Sequence, residues 1–93
     1  CNVAIGINAF GATTTGCHNV AIGQNALGQS DTTGNYNVAI GNDVMDAMTT
    51  GAYNVAIGGG TAGASTTGCF NVAIGKGAVA GAVTTGNNIA MSI

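Results

Sequence analysis

The chain has no proline, no tryptophan and only four charged side chains, one lysine and three aspartates, among 93 residues. So few cations form no basic patch, which leaves phosphate-driven nucleic-acid binding without support. Uninterrupted apolar stretches run to a few residues, far short of the roughly 20 that span a bilayer, so no membrane insertion is expected. Cysteine occurs three times, with no Cys-x-x-Cys pair and a single histidine, so zinc has no ligand set. An odd cysteine count without framework spacing also argues against a disulfide-built secreted domain. The 17 glycines do not fall at every third residue, which excludes collagen. An apolar content of 46% takes the chain out of the disordered class.

What is there is repetition. Asn-Val-Ala-Ile-Gly occurs at Asn2–Gly6, Asn19–Gly23, Asn37–Gly41, Asn54–Gly58 and Asn71–Gly75, and a degraded copy starts at Asn88. Successive starts are 17, 18, 17, 17 and 17 residues apart. A period this short marks one supersecondary unit stacked on the next. Thr-Thr-Gly recurs in each copy, at Thr14–Gly16, Thr32–Gly34, Thr49–Gly51, Thr66–Gly68 and Thr84–Gly86. Beginning and ending inside repeats, residues 1–93 read as a single array cut from a longer fibre protein.

Helix is disfavoured, because β-branched residues dominate and glycine interrupts every few positions. The expected fold is all-β, a parallel β-solenoid (β-roll) of five to six coils with a 17-residue repeat. Each coil pairs with the next at about 4.8 Å, giving a rod on the order of 25 Å long. Val3, Val20, Val38, Val55 and Val72 form one row, and Ile5, Ile22, Ile40, Ile57 and Ile74 another. Two residues apart on a strand, both rows share a face, which is expected to fill the interior. Asn2, Asn19, Asn37, Asn54 and Asn71 are expected to stack as an amide ladder.

The variable segment suggests a second short strand. Phe10, Leu27, Met45, Ala62 and Val79 share its apolar column, beside the small residues Ala9, Ala26, Val44, Thr61 and Ala78. The glycines after Ile and after Thr-Thr are expected to make the turns, where positive φ suits them. Extra residues near Asp31 and Val83 should bulge at a corner. A core this thin is expected to need oligomerisation.

The repeated Asn-Val-Ala-Ile-Gly with Thr-Thr-Gly resembles the repeats of phage tail-fibre proteins. Its Val-Ala-Ile-Gly centre is similar to the head repeats of trimeric autotransporter adhesins, whose repeat is shorter and lacks the Thr-Thr-Gly corner. The resemblance covers essentially the whole chain. It implies three chains associated about the long axis, a homotrimer on a virion, or at an extracellular cell surface, facing a host receptor or glycan.

Few residues invite chemistry. His18 shares a column with Tyr36, Tyr53 and Phe70. Without a carboxylate partner it reads as a stacked ring rather than a catalytic base. That row could stack on sugars if exposed or pack chains together if covered, and packing is preferred as an interface row. Cys17 and Cys69 are three coils apart, too far to bond within the chain, whereas Cys1–Cys17 is open; buried thiols are the expected state. Asp43 and Asp46 are too few oxygens for calcium. Gly58-Gly59-Gly60 lacks the helix and lysine of a phosphate loop.

No nucleophile, base and orienting group converge, so no enzyme, no cofactor and no metal are expected. The sequence points to a shaft or head segment of an oligomeric virion or cell-surface fibre involved in host attachment. The alternatives are a bacterial surface adhesin whose repeat face binds host or matrix, and an ice-binding β-solenoid using the Thr row. Inhibition of ice growth would single out the last.

Overall fold

The computed structural model describes residues 1–12, 15–63, 66–79, 86 and 88–91. Val83, Thr14, Thr84 and Thr85 lie outside the described residues. Among the described residues six strands are present: β1 (Val3–Ile5), β2 (Val20–Ile22), β3 (Val38–Ile40), β4 (Val55–Ile57), β5 (Val72–Ile74) and β6 (Ile89–Met91). They form one parallel sheet in chain order. Each residue pairs with its own equivalent, Val3 with Val20, Ala4 with Ala21 and Ile5 with Ile22, and so on down the array. The chain is therefore an all-β parallel β-solenoid, measuring 29 × 22 × 17 Å.

Strands of three residues are short because their boundaries are fixed chemically. β-branched Val and Ile favour extended backbone. Immediately after them Gly6, Gly23, Gly41, Gly58 and Gly75 adopt φ between 118° and 133°, a region closed to side chains.

The side-chain parity is the reverse of the expectation. Ala21, Ala39, Ala56 and Ala73 fill the interior, each at most 2% exposed. Val3, Ile5, Val20, Ile22, Val38, Ile40, Val55, Ile57, Val72 and Ile74 lie on the outer face, half-buried in the middle coils and exposed at the ends. The reason is space. The buried side chains of Leu27, Met45 and Met48 share one packed cluster with Ala21, Ala39 and Ala56, and an interior filled by them accepts a methyl group from the strand but no branched chain. Because the strand period is two, placing Ala inward turns every Val and Ile outward.

Among the described residues the second strand is also absent; a turn takes its place. Phe10, Leu27, Met45, Ala62 and Val79 all have φ between 47° and 58°. Left-handed backbone cannot extend, yet the coils still pair there: Leu27 N–H donates to Val44 O (3.0 Å) and Met45 N–H to Thr61 O (3.1 Å). Two positions earlier, Asn8, Asn25, Asp43, Gly60 and Gly77 are left-handed too, with φ from 55° to 70°. That column holds only Asn, Asp and Gly, the residues that tolerate this region best.

The glycines after Thr-Thr have a different task from the one expected. Gly16, Gly34 and Gly51 are buried and have no positive φ. They are there because neighbouring coils touch: a Cβ on Gly16 would meet Thr32 O at 2.5 Å. The paired threonines satisfy corner carbonyls. Thr32 Oγ1 donates to Met48 O (2.9 Å), Thr33 Oγ1 to Thr49 O (3.3 Å) and Thr49 Oγ1 to Thr66 O (3.2 Å). The extra residue of the longer coil falls at Ser30 and exposed Asp31.

A stabilising substitution follows from the Asn/Asp/Gly column. Asn8 Nδ2 donates to Asn25 Oδ1 (3.2 Å), and Asn25 Nδ2 to Asp43 Oδ1 (2.8 Å). Gly60 ends this chain, and a Cβ on it meets nothing within 4 Å. Gly60→Asn is expected to raise unfolding free energy by about 0.5–1 kcal/mol, through lower unfolded-state entropy and one more amide rung. Urea unfolding checks it; a lower midpoint would refute the column's equivalence.

Candidate assembly face

Along each coil the residues from the aromatic position to Ile alternate strictly. His18, Tyr36, Tyr53 and Phe70 are exposed; Asn19, Asn37 and Asn54 after them are buried; Val is half-exposed, Ala buried, Ile half-exposed. Three outward rows (ring, Val, Ile) thus lie side by side on one face.

The inward asparagines hold that face in register. Oδ1 of each accepts from the next asparagine's backbone N–H: Asn2 from Asn19 (2.9 Å), Asn19 from Asn37 (2.8 Å), Asn37 from Asn54 (3.0 Å) and Asn54 from Asn71 (3.0 Å). Nδ2 reaches across the coil to a Thr-Thr-Gly carbonyl: Asn2 to Gly16 (2.8 Å), Asn19 to Gly34 (2.9 Å), Asn37 to Gly51 (2.8 Å) and Asn54 to Gly68 (2.7 Å). The ladder therefore closes each coil on itself as well as linking it to the next.

The ring row is a continuous stack. Centroids are 5.0 Å apart for His18–Tyr36, 4.9 Å for Tyr36–Tyr53 and 5.0 Å for Tyr53–Phe70, with interplanar angles of 5°, 12° and 6°. All four residues have φ between 58° and 62°. Each backbone N–H is anchored one coil back, as His18 to Cys1 O (2.9 Å) and Tyr53 to Asn35 O (3.1 Å). Tyr36 and Tyr53 have both ring faces covered by neighbours, so only ring edges point outward. A sugar stacks on a ring face, and the inner rings offer none. Edges can still pack against another apolar surface.

Most of the exposed large hydrophobic side chains among the described residues stand in the ring, Val and Ile rows. Exposure is 48% at Val3, 58% at Ile5, 48% at Tyr36, 50% at Tyr53 and 57% at Phe70. The Val and Ile rows, two strand residues apart over five coil spacings, give a footprint on the order of 160 Å² before side-chain relief is counted, and the ring row flanks them over three coil spacings. Contiguous exposed apolar surface, even at the size an ordinary monomer carries, is often functional. No charged residue stands in the three rows among the described residues; Asp31, Asp43, Asp46 and Lys76 belong to other columns.

The remaining candidates do not converge. Cys1 and Cys17 are exposed and Cys69 half-buried, all three as free thiols, not the buried ones expected. Cys17 Sγ–H donates to Thr15 O (3.4 Å) and Cys69 Sγ–H to Thr67 O (3.6 Å). Among the described residues no group of three His, Cys or acidic side chains could hold a metal, and no helix is long and apolar enough to cross a membrane. Gly60 N–H donates to Asn42 O (2.9 Å), an ordinary rung of the repeat. Thr15, Thr33, Thr50 and Thr67 form one exposed row of hydroxyls.

Asp43 and Asp46 are held by amides. Asn25 Nδ2 and Asn42 Nδ2 donate to Asp43, and Gln29 Nε2 to Asp46 Oδ2 (3.0 Å). Partial burial, then repulsion from Asp43, push the Asp46 carboxyl above its ordinary value of 3.8. The folded state thus holds this proton more tightly than the unfolded chain. Its stabilising effect is full below pH 3.8 and disappears as pH rises through the folded value. Asp46→Asn is expected to raise the urea midpoint slightly at pH 7 and to leave it unchanged near pH 3. An equal midpoint at pH 7 would count against the strain.

Comparison with protein-family models, with curated proteins and with solved structures finds no match to this chain.

Proposed function

We propose that this chain is a structural segment, shaft or head, of an oligomeric fibre on a virion or cell surface, where it serves host attachment. The observation that carries this reading is the uncharged outward face of ring, Val and Ile rows, repeating at the coil spacing. A second copy of the chain presents the same rows at the same period, so side chains of one copy interdigitate with those of another along the whole rod. A single pairing of such footprints stays below the roughly 1,200 Å² typical of stable pairs. Three chains about a common axis bury more: the Val rows face inward, while each ring row meets the Ile row of the next chain. The mechanism is mechanical, because parallel main-chain pairing along the axis supplies stiffness and the shared apolar core supplies cohesion.

Sedimentation equilibrium is expected to give about three times the 8.9 kDa chain mass. Val38→Asp, on the half-exposed outer row, is expected to dissociate the assembly. A monomeric wild-type chain would remove the reading. Antibody raised against the chain is expected to label fibres on virions or cells along their length.

A further inference from the structure

His18 is the one ring of the stacked row whose side-chain type titrates near neutrality, and the proposed assembly buries that row. We infer that His18 makes self-association of this chain pH-dependent, weakening it as the imidazole protonates; this rests on the assembly reading above. The neutral imidazole lies flat on Tyr36, 5.0 Å between centroids and 5° from parallel, continuing the row as an aromatic plate. Against an apolar row of a neighbouring copy, that plate packs as Tyr36 and Tyr53 do.

The protonated ring is different. Its positive charge can keep a favourable contact with the Tyr36 face inside one chain, but its outer edge must leave water when a second chain covers it. Among the described residues no acidic side chain stands in the ring row with His18. Tyr36 covers one face of the ring, and His18 N–H donates to Cys1 O one coil back (2.9 Å); Cys17, whose N–H donates to Asn35 Oδ1 (2.8 Å), precedes His18, and Asn19 and Val20 follow. These neighbours are thiols, a phenol, an amide and a methyl pair, with no carboxylate among them. Asp31, Asp43 and Asp46 belong to other columns of the rod. Desolvation without a counter-charge lowers an imidazole's proton affinity. Proton linkage then requires the converse, that protonation lowers affinity between chains.

The size can be set. Each unit by which association lowers an imidazole's proton affinity weakens binding by up to about 10-fold per histidine in acid. Three copies multiply that loss, to on the order of 100-fold or more in the trimer constant between pH 8 and pH 5.

Sedimentation equilibrium at pH 8, 7, 6 and 5 tests this, on the wild type and on His18→Phe, which repeats the residue found in the same column at Phe70. The expected result is a wild-type constant that falls steeply below pH 7 and a variant constant that stays within about 3-fold. His18→Tyr serves as a second variant, with far-UV circular dichroism confirming the fold at each pH. A wild-type constant flat with pH overturns the inference and leaves the assembly standing. So does an equal fall in both variants. A wild-type chain monomeric at pH 8 overturns the inference together with the assembly it rests on.

Discussion

Gly34→Ala is expected to cost about 3 kcal/mol or more, enough to unfold much of the array at 37 °C. The new methyl would enter the Gly51 carbonyl oxygen, with Gly51 C at 2.8 Å and Thr50 C at 3.1 Å. All three obstacles are backbone, and that backbone is fixed by its own pairing: Thr50 N–H and Gly51 N–H both donate to Thr66 O (3.2 Å). Relief requires prising two coils apart, which breaks rungs on both sides of the clash. Overpacking a core usually costs about 1–3 kcal/mol because side chains can adjust, and here nothing flexible stands in the way. Against a total of roughly 5–15 kcal/mol for a small protein, the loss is a large share.

Gly60→Ala separates this effect from simple backbone strain. Gly60 has φ of 68°, and a Cβ there has open space. The control is therefore expected to lose only about 1–2 kcal/mol, the cost of a left-handed non-glycine residue. Urea unfolding followed by circular dichroism compares the two. Equal losses would show that coil contact at Gly34 has no special weight.

The two glycines also show what a sequence can and cannot disclose. Identical pentapeptides at a 17-residue period are enough to require parallel, in-register coils, since only that arrangement brings like onto like. The asparagine column was readable for the same reason. Which face of the strand looks inward was not. Val and Ile are the obvious core formers, and nothing in Asn-Val-Ala-Ile-Gly states how much room the interior leaves. That room is taken by Leu27, Met45 and Met48, from a segment whose left-handed turn replaces the expected strand. The signal for that turn was nevertheless present. A column reading Asn8, Asn25, Asp43, Gly60, Gly77 is restricted to residues that accept positive φ, which a period-two reading passes over. The aromatic row was visible as a column, but its outward direction followed only once Asn and Ala were known to face inward.

Asn37→Asp is expected to reverse the usual effect of acid on a protein. Asn37 is fully buried and spends both ends of its amide: Oδ1 accepts from Asn54 N–H and Nδ2 (both 3.0 Å), and Nδ2 donates to Gly51 O (2.8 Å). A carboxylate keeps the first contact and ruins the second, since its other oxygen then faces a carbonyl oxygen with no proton between them. An uncompensated charge in this interior is expected to cost about 3–5 kcal/mol at pH 7. Protonation repairs the site, because a neutral carboxyl can donate to Gly51 O as the amide did. The folded-state pKa of the introduced carboxyl therefore lies above the roughly 3.9 of the unfolded chain. The variant's stability is least above the folded value and recovers as pH falls towards the unfolded one. Asn37→Leu removes the same donor and acceptor without introducing a titrating group, so it should be destabilised with a pH profile parallel to wild type. Urea midpoints measured from pH 7.5 to 3.5 distinguish them: the aspartate variant should climb towards wild type in acid while the leucine variant does not. Parallel profiles for the two variants would mean that the buried amide is not what closes each coil on the next.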